Sequence, residues 1–219
     1  MGFDAAWFDE LRSIDWKTLK VREIKGIYRY VPHVGELRET GVVSLRFYDE
    51  TMALIDGLRT RGYRFDWFFR AEERGIYDFP EGMSGRKQWN IGFHAGENAS
   101  EDYVRIGIGF RFQRTDDRAS VTDALLDYVE FQNRVKQRPL DFDQVFASLG
   151  GYMEPSPQDQ SEPLSSEILT QFPNLDDWRF FGKKLSCADE ANKQLLKSID
   201  KVADEAVTVF EKIQHAGFG

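Results

Sequence analysis

Residues 103–113 read YVRIGIGFRFQ, and this stretch decides the predicted fold. Every second residue is apolar: Val104, Ile106, Ile108, Phe110 and Phe112. Alternation with a period of two is typical of a β-strand that buries one face. The residues between them are polar or glycine, so the second face of this strand is expected to meet water or a ligand. Glycine inside a strand often marks the close approach of another backbone or of a ligand, and a β-bulge is the alternative explanation.

The same alternation recurs in four earlier stretches, which predict strands near residues 20–31, 41–48, 63–71 and 87–94. Apolar stripes at helical spacing predict helices over residues 4–13, 50–61 and about 187–214. Strands that precede a helical C-terminal part favour an α+β fold. We therefore expect a mostly antiparallel sheet of about five strands, with helices packed on one face and a long C-terminal helix.

The chain divides into three parts by composition. Residues 1–149 contain the predicted strands and form an α+β sheet domain, which ends in a short helix near 141–149. Residues 150–163 contain three prolines and two glycines among several acids, which is typical of a flexible connector. Residues 164–219, with a short strand at 178–182, are expected to form a C-terminal helical segment that packs on the sheet.

The charged residues are unevenly distributed along this acidic chain, whose formal net charge is −8. Residues 1–138 carry 22 basic and 23 acidic side chains, and 17 of the basic ones are arginine. Residues 139–219 carry 7 basic and 14 acidic side chains. Arginine suits bidentate contacts with phosphate or carboxylate, although the same residues also suit surface salt bridges.

Counting by two along the predicted strands places many of these arginines on the second face of the sheet, together with Gln88 and Asn90. The predicted phosphate-binding residues are Arg29, Arg46, Arg64, Arg70, His94, Arg105 and Arg111. Such a face would suit a nucleic-acid backbone or another polyanion. A solvated face with cross-strand charge pairs is the alternative.

A short motif near the N-terminus suggests a catalytic site. Asp15, followed by Glu23-Ile24-Lys25, resembles the Asp…Glu-x-Lys signature of restriction-type nucleases. The resemblance implies that Asp15 and Glu23 hold Mg²⁺ and that Lys25 positions or activates the attacking water. It covers about eleven residues, and a surface charge pair explains the same pattern.

Composition also excludes several classes of protein. The single cysteine allows no internal disulfide, and with only three histidines the chain lacks the ligands of a structural zinc site. No apolar run is long enough to cross a bilayer, and the N-terminus lacks the pattern of a signal peptide. A cytoplasmic protein without a membrane partner is therefore expected.

Three functions follow as expectations. The first is association with nucleic acid, in a prokaryotic restriction or defence setting, with a Mg²⁺-dependent nuclease as the first choice if the protein is an enzyme. The alternative is an acidic protein-interaction module, of the inhibitor or immunity type, that captures a basic partner protein. The third is an enzyme that acts on a small anionic ligand with arginines and His94.

Overall fold

The computed structural model describes residues 2–15, 22–24, 28–30, 34–69, 74–78, 87–112, 126, 130, 133–134, 140, 144–146 and 177–217. The predicted connector at 150–163 lies outside these residues. The predicted division of the chain into parts at this connector therefore stays a prediction.

Five helices are defined in the described residues: α1 (Ala5–Ser13), α2 (Val34–Glu39), α3 (Leu45–Thr60), α4 (Glu190–Leu196) and α5 (Ile199–Gly217). Three of them begin at a side chain that accepts a hydrogen bond from a backbone N–H of the first turn. These caps are Asp4 for α1, Ser44 for α3 and Asp189 for α4. Such caps satisfy N–H groups that have no partner within the helix.

Eight strands are defined in the same residues. They are β1 (Arg22–Ile24), β2 (Tyr28–Tyr30), β3 (Asp66–Phe69), β4 (Arg74–Asp78), β5 (Lys87–His94), β6 (Tyr103–Phe112), β7 (Gln144–Phe146) and β8 (Asp177–Ser186). Strands β1 and β2 pair only with each other, in antiparallel register. The remaining strands follow the order β3-β4-β5-β6-β8-β7.

The α+β class is confirmed, but the prediction of one sheet of about five strands is wrong. Three long neighbouring strands, β5, β6 and β8, form the body of the sheet, and shorter strands flank them. The predicted strand at 20–31 is instead the separate β1–β2 pair. The predicted strand at 41–48 runs into α3, because Ser44 caps a helix that begins at Leu45.

The C-terminal part also differs from expectation. The single helix predicted over 187–214 is divided between α4 and α5 at Lys197 and Ser198, and its predicted stripe is largely confirmed. The buried members of that stripe are Ile199, Val202, Ala206, Phe210 and Ile213. The short strand predicted at 178–182 is longer, as β8, and residues 144–146 of the predicted helix at 141–149 are strand β7.

The chain forms two compact units. The first unit comprises Met1–Asp78, Asn90–Ile106 and Lys184–Val207. In its core, the ring of Trp7 stacks on that of Phe47 with centroids 4.6 Å apart, and Phe93 packs against Trp7 at 4.8 Å.

The second unit comprises Phe79–Trp89, Gly107–Lys183 and Thr208–Gly219. In its described part, the rings of Trp89 and Phe210 lie 4.7 Å apart. Gly107 lies against the β8 backbone, where an added Cβ would be 2.1 Å from the carbonyl oxygen of Phe181. The expectation that a strand glycine marks a close backbone approach is confirmed here.

A search of the described helices for a membrane-spanning segment finds none of sufficient length and apolarity.

Candidate functional site

The second face of β5 and β6, together with the end of β8, carries a group of polar residues within the first unit. It comprises Asn90, His94, Tyr103, Arg105 and Lys184, and we call it the polar cluster. Strand alternation explains its composition, since Ile91, Phe93, Val104 and Ile106 point to the apolar face and are buried. The polar cluster is therefore a direct product of the period-two pattern.

The polar cluster extends from the interior towards the surface. Asn90 is 0% exposed and Arg105 is 3% exposed. His94, Tyr103 and Lys184 are half-buried. A ligand would reach the outer three residues from solvent and the inner two only on entering the fold.

The outer part of the polar cluster is a stack around Tyr103. The imidazole of His94 lies nearly parallel to the phenol ring, with centroids 4.6 Å apart and planes 22° apart. The Lys184 ammonium lies 4.3 Å from the centroid of the same ring, within the range of a cation–π contact. Burial raises the pKa of the Tyr103 phenol, and the positive charge of Arg105 opposes that increase.

In the inner part, the Arg105 side chain lies across Gly92. A Cβ added at Gly92 would be 2.4 Å from Nε of Arg105, so a side chain at this position would displace the guanidinium. Asn90 precedes Gly92 by two residues on the same face of β5. Both polar atoms of its amide, Oδ1 and Nδ2, are buried, and neither has a hydrogen-bond partner among the described residues. An unpartnered buried amide costs about 1–3 kcal/mol of stability.

The burial of Asn90 and Arg105 corrects the expectation of an open, arginine-rich sheet face. Gln88, expected on the same face, is also buried. Of the predicted phosphate-binding residues, His94 and Arg105 are the two whose described side chains belong to the polar cluster. His94 stands at its outer edge, and Arg105 lies inside the fold.

The other predicted phosphate-binding residues lie elsewhere or are not described. Arg46 is on α3, not on a strand, and its guanidinium pairs with Asp4 at 2.7 Å and Glu50 at 3.3 Å. Arg64 is exposed before β3. Arg29 is in β2, outside the main sheet. Arg111 is in β6 without a described side chain, and Arg70 lies outside the described residues.

The combination of the three nuclease-like residues in one site stays a prediction. Asp15 is exposed after α1, Glu23 pairs in register with Arg29 in the β1–β2 ladder, and Lys25 lies outside the described residues. A search of the described side chains finds no group of three or more His, Cys, Asp or Glu residues placed to hold a metal ion. The Mg²⁺ expectation gains no support from this geometry.

Two members of the polar cluster, Tyr103 and Lys184, are absent from the residues predicted for the second face of the sheet. Tyr103 could have been found, because it precedes Arg105 by two positions and shares its face. Lys184 could not, because the predicted strand at 178–182 ended before it and its contact with Tyr103 depends on strand order.

No protein-family model, curated protein or solved structure matches this chain.

Proposed function

We propose that the protein binds a small anionic ligand at the polar cluster. The observation that carries this proposal is the Asn90 amide, which is fully buried and has no hydrogen bond from either polar atom to the residues that the structure describes. Unpartnered buried groups are rare in native proteins, and a binding role is one of the few explanations for their cost. A ligand would supply the missing partners.

The charge of the polar cluster favours an anion. The guanidinium of Arg105 is positively charged and shielded from water, so its attraction for an anion exceeds that of a surface arginine. Lys184 adds a second positive charge at the outer end. Guanidinium groups match carboxylate and phosphate oxygens in geometry, which makes both groups suitable as the anionic part of the ligand.

The Asn90 amide narrows the ligand class further. Its Nδ2 donates hydrogen bonds and its Oδ1 accepts them. An anion that also carries a hydroxyl group satisfies both atoms, because the anionic oxygen accepts from Nδ2 and the hydroxyl donates to Oδ1. Hydroxy acids and phosphate esters of polyols have this combination. The third function expected from the sequence, an enzyme that acts on a small anionic ligand with arginines and His94, involves the same class of ligand.

The test is calorimetric titration of the full chain with inorganic phosphate, glycerol 3-phosphate and glycolate at low salt. We expect saturable binding of at least one hydroxylated anion, and a loss of about tenfold or more in affinity for Asn90→Leu. Because leucine removes the unpartnered amide at similar volume, the same variant should have a higher Tm without ligand.

A structural role for Asn90 would instead lower the Tm of the Leu variant. Arg61→Gln, which alters a surface ion pair with Asp204, is the matched control and should bind as the wild type does. Absence of binding by all three probes at millimolar concentration, or wild-type affinity in Asn90→Leu, would contradict the proposal.

We infer a second candidate function, association with nucleic acid, from the arginine content of residues 1–138 and from the half-exposed Tyr103. Aromatic rings beside cationic groups are surfaces on which bases stack. The net charge of −8 opposes binding, so measurable affinity requires low salt. A restriction or defence setting, a Mg²⁺-dependent activity and capture of a basic protein stay predictions.

Fluorescence anisotropy with labelled single- and double-stranded oligonucleotides, over a salt series, tests the second candidate. We expect affinity that falls steeply as salt rises and that weakens by about fivefold or more in Tyr103→Ala. Binding of phosphate without binding of oligonucleotide would contradict the second candidate and support only the first proposal.

A further inference from the structure

A concave site lies in the first unit, and none of the polar-cluster residues lines it. It has a volume of about 330 Å³ and is formed by the start of α1, residues 99–102, residues 187–188 and α4. We call it the α1–α4 pocket. Its volume lies at the lower end of the range of about 300–1,000 Å³ found for small-molecule sites.

The walls of the α1–α4 pocket are mainly apolar. The larger apolar side chains that line it are Phe3, Phe8 and Leu196, and Ala99 and Ala188 also line it. All three larger side chains are buried, whereas both alanines are exposed. The pocket therefore offers a hydrocarbon-like surface that a ligand can reach from solvent.

The carboxylates near the pocket already accept hydrogen bonds from an arginine and from a backbone N–H. Asp102 accepts hydrogen bonds from Nη2 of Arg12 at 2.6 Å and from the backbone N–H of Gly96 at 3.0 Å. Asp4 accepts from Nη2 of Arg46 at 2.7 Å and from the Trp7 N–H at 3.1 Å. Their negative charges are thus largely balanced by residues outside the pocket.

The lysines at the pocket form weaker ion pairs than these carboxylates do. The Lys193 ammonium is 4.0 Å from Glu190 Oε2, at the limit of an ion pair, and both side chains are exposed. Lys197 is exposed and forms no ion pair with the residues that the structure describes. The rim of the pocket consequently has an excess of positive charge.

We propose that the α1–α4 pocket binds an amphipathic anion, of the chemical class of medium-chain carboxylates. The hydrocarbon part packs against Phe3, Phe8 and Leu196, and the carboxylate lies at the rim beside Lys193 and Lys197. Burial of the ligand's hydrocarbon part provides the affinity, and the lysines select an anion over a neutral or cationic molecule of equal length. The α1–α4 pocket shares no lining residue with the polar cluster.

The chain contains its own reporter for the test. Cys187 lines the pocket and is the only cysteine in the sequence. Its rate of alkylation by iodoacetamide is measured in the full-length protein with increasing octanoate, octanol or octyltrimethylammonium. We expect octanoate to slow alkylation by at least about fivefold at saturation, and to act at lower concentration than octanol. The octyltrimethylammonium cation should act only at the highest concentrations.

Two variants separate the contributions of charge and volume. Lys193→Gln combined with Lys197→Gln should weaken octanoate protection by about fivefold or more and leave octanol protection unchanged. Ala188→Phe should remove protection by both, because the new ring occupies the pocket. The matched control is Lys201→Gln with Lys212→Gln, at exposed positions on α5, which should behave as the wild type.

Three outcomes would overturn the proposal: no protection by octanoate, equal protection by octanoate and the cation, or unchanged octanoate affinity in the double lysine variant. Circular dichroism and Tm establish that each variant is folded before its rate is compared.

Discussion

At the scale of the residue, Asp102 shows how burial determines the contribution of an ion pair to the free energy of unfolding. Its side chain is 1% exposed, and Arg12, at 27%, is its charged partner. We expect Arg12→Ala to lower the free energy of unfolding by about 2 kcal/mol, somewhat less than for a fully buried pair because Arg12 reaches water. Urea denaturation measures the change.

Arg61→Ala serves as the comparison for Arg12→Ala. Arg61 pairs with Asp204 at the same distance of 2.6 Å, but the Asp204 side chain is 67% exposed. The expected loss is at most about 1 kcal/mol, because water solvates the remaining carboxylate. Equal losses in the two variants would contradict this assignment.

Cys187 is the second residue whose environment leads to a measurable prediction. Burial raises its pKa from 9.0 to about 11, and the nearby Asp102 charge adds to the increase. Since the thiolate is the nucleophile, alkylation at pH 8 should be about 100-fold slower than for a thiol of pKa 9.0. Urea-unfolded protein provides the reference rate, and similar rates in the two states would contradict the raised pKa.

The same pKa shift affects stability at high pH. Because the unfolded thiol ionises first as the pH rises, the folded protein should lose stability from about pH 9 to pH 11. Cys187→Ala removes this contribution, so its Tm should fall less steeply than that of the wild type over that interval. The two proteins should show parallel profiles below pH 8.

At the scale of the element, the same substitution, glycine to alanine, is expected to change stability in opposite directions at two positions. A Cβ at Gly107 in β6 would lie 2.1 Å from the Phe181 carbonyl oxygen, so Gly107→Ala should separate β6 from β8 and cost about 2–3 kcal/mol. A Cβ at Gly57 in α3 would lie 3.5 Å from its nearest neighbour, Nη1 of Arg61.

Gly57→Ala should therefore raise the free energy of unfolding by about 0.5–1 kcal/mol, because alanine favours the helix. Chemical denaturation of both variants checks the signs. A stabilising Gly107→Ala would mean that β6 and β8 are not in close contact at that point.

The wrong strand prediction at 41–48 also belongs to the scale of the element. Val43 and Phe47 are buried and fit a period of two, but Leu45 between them is exposed. From Phe47 onwards, the buried residues Thr51, Leu54, Ile55 and Leu58 follow the helical spacing. The two patterns overlap at 43–47, and the Ser44 cap decides in favour of the helix.

At the scale of the whole molecule, each compact unit is assembled from three separate segments of the chain. Both units include residues C-terminal to 183, so a chain that ends at Lys183 lacks part of each. We expect this truncated chain to show no cooperative unfolding transition by circular dichroism, whereas a chain that ends at Gly217 should unfold as the full chain does. A cooperative transition in the shorter chain would show that residues 184–217 are dispensable for folding.

How much the sequence predicts depends on the range of the interactions. Strand β5 has the predicted bounds, β6 begins at the predicted residue, α1 begins one residue later than predicted, and the apolar stripe of α5 is buried as expected. The polar residues of the candidate site could also be listed from alternation, with Asn90, His94 and Arg105 on the second face. These features repeat over two to four residues, so local spacing determines them.

Sequence alone thus determined the α+β class, the amphipathic helices and the two-faced strands β5 and β6. Only the tertiary structure decided that β8 lies beside β6, that Lys184 reaches Tyr103, and that Arg46 pairs with Asp4 and Glu50 instead of facing a ligand. It also decided that Asn90 and Arg105 are buried. The physical reason is that strand order, ion pairing and burial depend on residues distant in the chain, whose approach no local periodicity encodes.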